Sequence, residues 1–235
     1  MGLQIRCTHN QAARIFIILV AADLCLTAAY LFTHLGYPDL RMGPLRLALD
    51  VDAEISIPTW FSSMQYFAAG VLLFAAAGNN QHGHHISSAY LRLGGLLFLL
   101  LSIDESAALH EKMTTIAKNA GQEWMLINGH AAWLFLYAVL FVSAAMLGAK
   151  QLKSLWQHCR AEMRIGLAGA LLLAAGAVGF EISSYSFMGD EAGAARTYMW
   201  LVATEELFEM LGMSIVLYAT LRLATKLSAR DDAQP

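Results

Sequence analysis

Charge is scarce in this chain. Only 14% of its 235 residues are Asp, Glu, Lys or Arg, whereas a soluble domain averages about 25%. The shortfall excludes an ordinary water-facing surface. With a net charge of −3 the chain also lacks the basic field that holds nucleic acid, so no nucleic-acid partner is expected. Its three cysteines, Cys7, Cys25 and Cys159, have no paired spacing and no CxxC, which excludes a disulfide framework and a zinc knuckle. HExxH, ExxH and the histidine-rich HxxxH pattern are absent, as is a Ser/His/Asp set suited to a membrane hydrolase. No repeat of fixed period, inverted repeat or low-complexity segment is visible.

What is abundant is hydrocarbon, with 57% of residues hydrophobic. Six stretches, 12–32, 58–77, 90–110, 129–149, 164–187 and 198–221, approach or reach the roughly 20 residues a helix needs to cross a bilayer. Helix is the expected form, because each backbone N–H and C=O has to be paired within the lipid. The predicted fold is therefore all-α, a polytopic bundle of six transmembrane helices in one integral membrane domain over residues 1–235. Arg6 and Arg14 precede the first run, as in a signal peptide. That run contains Asp23 and ends without a clear small-x-small cleavage site, so it reads as a retained span.

Basic residues set the expected orientation. Ten of the fifteen Lys and Arg fall in the N-terminus, second loop, fourth loop and C-terminus, and five on the other side. That bias predicts both termini in the cytoplasm of a bacterial inner membrane. The three histidines of loop 81–85 then lie on the cytoplasmic side and read as a solvated polar loop. With this orientation the unusual polar residues gather in the outer, periplasmic leaflet. Asp104, Glu105, His110 and Glu111 close the third span, and Glu205, Glu206 and Glu209 lie inside the sixth. Glu181 continues a stripe of small residues, Ala170, Ala174 and Ala177, that predicts a tightly packed face. His130 opens the fourth span, and Asp50, Asp52 and Glu54 lead into the second. Asp23, Thr27, Tyr30 and His34 share one arc of the first span. They are candidates for a proton path or, equally, for an interhelical hydrogen-bond seam.

Ionisable groups at membrane depth are costly and mark candidate sites. On an unbroken helix Asp104, Ala108 and Glu111 would share a face, with Asp104 and Glu111 about 10 Å apart along the axis and His110 turned away. Glu205 and Glu209, four residues apart, project together. Asp104, Glu105, Glu111, Glu181, Glu205, Glu206 and Glu209 place seven carboxyls in one leaflet, with only Lys112 and Arg196 nearby. So many like charges cannot all ionise in a poorly hydrated bundle. Either cations or protons neutralise them.

The first outcome is a divalent metal site built from Asp104, Glu105, His110, Glu111, His130, Glu181, Glu205 and Glu209. Carboxylate and imidazole ligands suit Fe, Mn or Zn. The expected protein is then a metal-dependent hydrolase or oxidoreductase acting on a lipid, a quinone or a periplasmic substrate. The second outcome is a proton- or cation-coupled transporter or channel using the same acids. A third class is a membrane subunit of a larger complex, its acids paired with a partner's basic residues.

Overall fold

The computed structural model describes residues 7–36, 43–79, 86–121, 132–184 and 192–231. Among these residues every regular element is a helix. The long ones are α1 (His9–Leu31), α3 (Ile57–Asn79), α4 (Ser88–Ala107), α6 (Trp133–Leu147), α8 (Arg160–Ala174) and α10 (Ala192–Asp231). Between them lie the shorter α2 (Gly43–Ala48), α5 (Leu109–Asn119), α7 (Ala149–His158) and α9 (Glu181–Ser184). Two wider π-helical turns, Phe32–Gly36 and Ala175–Phe180, extend α1 and α8.

Among the described residues, four helical segments are long and apolar enough to cross a membrane: His9–His34, Ile57–Asn79, Arg160–Phe180 and Ala194–Ser228. The sequence predicts unbroken third and fourth spans, and the structure differs there. α4 and α5 meet at 71°, and α6 and α7 at 70°, so the number of crossings rises to six only if each bent pair counts as one. The hydropathy pattern explains the bends. α5 (LHEKMTTIAKN) and α7 (AKQLKSLWQH) alternate apolar and charged residues at helical spacing, which suits an interface and not hydrocarbon. They extend from opposite ends of the bundle.

α10 is the centre of the bundle and packs against α1, α3 and α8. Its inner face carries Met210, Met213, Ala224 and Leu227, all at most 1% exposed. Two hydrogen bonds fix its register on α3: Gln65 Nε2 donates to Ser214 Oγ at 2.9 Å, and Asn79 Nδ2 to Ser228 Oγ at 2.8 Å. The equal fourteen-residue step on both helices requires them to run parallel. α4 runs antiparallel to α3, where Ser63 meets Ser102 at 3.0 Å and Ser106 at 2.6 Å.

Two glycine crossings bring backbones into contact. At α3–α4, a Cβ on Gly70 would stand 3.0 Å from the Gly95 oxygen. At α8–α10, a Cβ on Gly169 would stand 2.6 Å from the Gly212 oxygen, and one on Gly212 2.5 Å from the Leu173 nitrogen. Small residues permit such approach between apolar helices. α6 is the exception to this packing. None of its residues is buried, and its contacts are confined to a few points, with the Trp133 ring against His110 of α5 and Gly148 at its C-terminal end against Tyr90 of α4.

The α8–α10 crossing generates a test. In Gly212→Ala the added methyl meets backbone, which cannot rotate aside, so the helices must separate. The expected loss is about 1–3 kcal/mol, read as a lower unfolding temperature in detergent. Gly78→Ala meets nothing within 4 Å and should be neutral or slightly stabilising. Equal effects of the two changes would show that the crossing is not a tight contact.

Candidate functional site

The site begins with one backbone conformation. Ala108, between α4 and α5, has φ 49° and ψ 45°, in the left-handed region that costs a residue with a Cβ about 1–2 kcal/mol. The turn folds His110 back over the end of α4. Its backbone N–H donates to Asp104 Oδ1 at 2.9 Å, and its Nδ1 lies 3.2 Å from Asp104 Oδ2. Ala108 has no side chain to cap α5, so the Asp104 carboxylate satisfies a first-turn donor instead. On the far side of the ring, His110 Nε2 stands 3.5 Å from Glu54 Oε1. Carboxylates therefore face both ring nitrogens, and only an imidazolium donates to both. The expectation that His110 points away from Asp104 holds for an unbroken helix; the turn at Ala108 reverses it.

Glu54 belongs to a segment of alternating acids, and each acid meets a different helix. Asp50 Oδ2 lies 3.4 Å from His34 Nε2 at the end of α1. Asp52 accepts from the Tyr198 hydroxyl of α10, at 3.2 Å to each carboxylate oxygen. Glu54 meets His110 of α5. Burial pushes the Asp52 carboxyl above the usual carboxylate range, against the Tyr198 hydrogen bond and with the help of neighbouring Asp50. Burial also raises the Glu54 carboxyl, with His110 opposing and Glu111 adding to the rise.

These groups face a cavity of about 440 Å³. Six of the residues expected in the site line it: Asp104, Glu105, His110, Glu111, Glu205 and Glu209. Asp52, Glu54 and Glu206 bring the carboxyls among the described lining residues to eight, and none of those residues is Lys or Arg. Tyr66, Tyr137 and Tyr198 add hydroxyls. The π-helical turn at Ala175–Phe180 positions the glutamates of α10. A Cβ on Gly176 would sit 2.8 Å from the Glu205 oxygen and 2.8 Å from Glu209 Cγ, so only glycine lets α8 approach them so closely. The alanine stripe does not form that contact. Ala174 and Ala177 line the cavity, and the glycines of the neighbouring face make the packing.

Some expected site residues are not brought into this arrangement. His130 lies outside the described residues, as do the histidines of loop 81–85. Glu181 begins α9, and its side chain lies outside the described set. Among the described residues no three His, Cys, Asp or Glu side chains stand close enough together to hold a metal ion. Asp23, Thr27, Tyr30 and His34 are all buried on one face of α1, but they form two polar groups. Asp23, 0% exposed, receives a hydrogen bond from Ser214 at 2.8 Å and one from Gln65 Nε2 at 3.4 Å. The Thr27 hydroxyl donates to the Asp23 carbonyl. His34, its ring tilted against Tyr30 with centroids 4.3 Å apart, belongs with Asp50 at the acidic end.

Asp52, Glu54, Tyr137 and Tyr198 were not assigned to the site on sequence grounds. The alternation Asp50-x-Asp52-x-Glu54 immediately before the second span is a usable signal, because it gathers three acids within five residues of a turn at the mouth of the bundle. The tyrosines gave none.

The architecture defines a class: an all-helical bundle with helices fit to cross a membrane and an acid-lined cavity between them at one end. The chain belongs to the family DUF8692, a domain of unknown function, whose family model matches residues 12–225. Neither a curated protein nor a solved structure matches it.

The raised carboxyls of Asp52 and Glu54 give a signed pH dependence. Acids that hold their protons more tightly when folded add stability below the unfolded-chain value and lose it as pH rises through the folded value. From pH 7 toward pH 5, wild type should therefore gain stability relative to Asp52→Asn/Glu54→Gln. Melting temperatures of both proteins across that range measure the difference. A gap that stays flat or closes on acidification would contradict the assignment.

Proposed function

We propose that the protein is an integral membrane metalloenzyme, a hydrolase, whose acid-lined cavity holds a divalent Fe, Mn or Zn ion. The observation that carries the reading is the charge of the cavity: eight carboxyls, one imidazole and no Lys or Arg among its described lining residues. A divalent ion offsets much of the cost of keeping such acids out of water. Glu205, Glu206 and Glu209 on α10 and Glu105 on α4 supply long, rotatable carboxylates that can turn toward one centre. Glu181 and His130 stay in the proposal as ligands on sequence grounds. His110 takes a different role, because carboxylates already face both of its nitrogens. Between buried Asp104 and the more exposed Glu54, it can deliver and recover a proton. That acid–base capacity is what hydrolysis adds to a metal that activates water. We place the protein in a bacterial inner membrane, with six crossings, both termini cytoplasmic and the cavity toward the periplasm, on the bias of its basic residues.

One observation favours a second reading, a proton- or cation-coupled carrier. Deeper in the bundle, Asp23 is fully buried with Gln65 and Ser214, and Gln65 Oε1 has no hydrogen-bond partner among the described residues. A carboxyl with a spare acceptor beside it is a place where a proton or small cation can rest.

Elemental analysis of protein purified without a His tag or chelator separates the readings. The metalloenzyme should carry near-stoichiometric metal and melt lower in EDTA, since a ligand that binds only the folded state stabilises it. Glu209→Gln should lose metal and become insensitive to chelator. Less than about 0.2 metal per chain, with identical melting in EDTA and in added Fe, Mn or Zn, would move the assignment to the carrier. For topology, a cytoplasm-active reporter should work at the C-terminus and a periplasm-active one between α9 and α10. The reverse result would remove the periplasmic placement.

A further inference from the structure

A second cavity, of about 530 Å³, continues from the acidic one toward the opposite end of the bundle. The two share four walls, Tyr66, Leu101, Phe141 and Leu173. Along α4 the second cavity runs from Leu101 to Leu91, about 15 Å at 1.5 Å per residue. That is half of the roughly 30 Å hydrocarbon thickness, or one leaflet. Its walls are apolar apart from the polar tips of Tyr66, Tyr90, Trp156 and Thr220 and, at the far end, the Glu162 carboxyl. Lys226 at 3.0 Å and Arg222 at 3.5 Å already neutralise Glu162.

Packed interiors leave few voids larger than a water molecule, so a space of this size is not a packing defect. Apolar walls do not hold water, which needs two or more polar partners. The fitting occupant is hydrocarbon. The bilayer supplies it, and the route is at the side. Phe141 of α6 walls both cavities, yet α6 has no buried residue, so little packing opposes its displacement. The charge of the upper cavity constrains the other end of the ligand. With eight carboxyls above, even a bound divalent ion leaves the upper cavity without net positive charge, and no described lining residue of either cavity is Lys or Arg, so an anionic head is disfavoured there.

We infer that the paired cavities form one amphiphile site: the lower takes the long hydrocarbon chain of a membrane lipid, and the upper takes its uncharged or cationic polar end. The inference rests on the proposed enzyme in that it names the substrate class of the same cavity. The chain-binding part requires no metal.

The test is photolabelling of the full-length protein in nanodiscs. Three probes share a long alkyl chain with a terminal diazirine and differ in the head: primary amine, hydroxyl or phosphate. Adducts are mapped by mass spectrometry, with and without EDTA. Expected are adducts at Leu91, Phe98 and Met163 with the amine and hydroxyl probes, competed by excess unlabelled amphiphile. Ala170→Trp, which fills the lower cavity, should cut this labelling about tenfold, equivalent to a tenfold weaker affinity. Gly166→Leu is a second filling variant should the first fail to fold. Ile18→Trp, at an outward position 67% exposed, should leave labelling unchanged. Adducts spread equally over Ile17, Ile18 and the groove, or a phosphate probe that labels as well as the others, would overturn the inference. Groove labelling that persists in protein shown to hold no metal would support the amphiphile site and remove the metalloenzyme. Loss of groove labelling in protein that still binds metal would do the opposite.

Discussion

A carboxyl group cannot face lipid without a large cost, and this constraint shapes the whole bundle. The glutamates of α10 have to point inward, so α10 has to be surrounded, and it is: α1, α3 and α8 enclose it along its length. Acids on α4 and on the 50–54 segment then meet those of α10 across a shared space. Enclosure and mutual repulsion work against each other here. Neighbouring helices must come close enough to keep lipid out, yet the carboxyls need room and a counter-charge. The structure divides the two tasks along the axis of α10. Backbone contact at Gly169, Gly176 and Gly212 seals the α8 side, and the cavity opens on the side of α4 and α6.

The polar contacts in the rest of the bundle follow a different logic. Gln65 with Ser214, Asn79 with Ser228, and Ser63 with Ser102 and Ser106 are uncharged pairs that hydrogen-bond between helices. They set register and direction without burying a charge. The acids at the end of the bundle line a shared space instead: Glu54 and Asp104 flank His110, and the α10 glutamates line the same cavity.

Much of this was legible in the sequence because it rests on local patterns. Apolar runs of sufficient length located the principal helices, and the cost of buried charge singled out Asp104, Glu105 and the α10 glutamates. The bend at Ala108 was not legible. Alanine is the best helix former, and nothing in Ser106-Ala-Ala-Leu109 signals a left-handed residue. The turn is held by Asp104 close by on α4 and by Glu54, which is distant in sequence and so carries no local signal. The alanine stripe misled for a related reason. Small side chains mark close packing and cavity walls equally well, and only the placement of Gly169 and Gly176 on the adjacent face distinguishes the two. The α6–α7 bend was partly legible, since Gly148 stands where an apolar run gives way to an amphipathic one.

The alternating acids Asp50, Asp52 and Glu54 act like three stitches in one hem. Each holds a different helix, so lifting the segment from the mouth of the cavity breaks contacts to α1, α5 and α10 together. The mouth therefore resists gradual widening and opens, if at all, as a single cooperative event. α6, which buries none of its own residues, is held by no comparable set of stitches, so the flank of the cavity lacks the all-or-none restraint of its mouth.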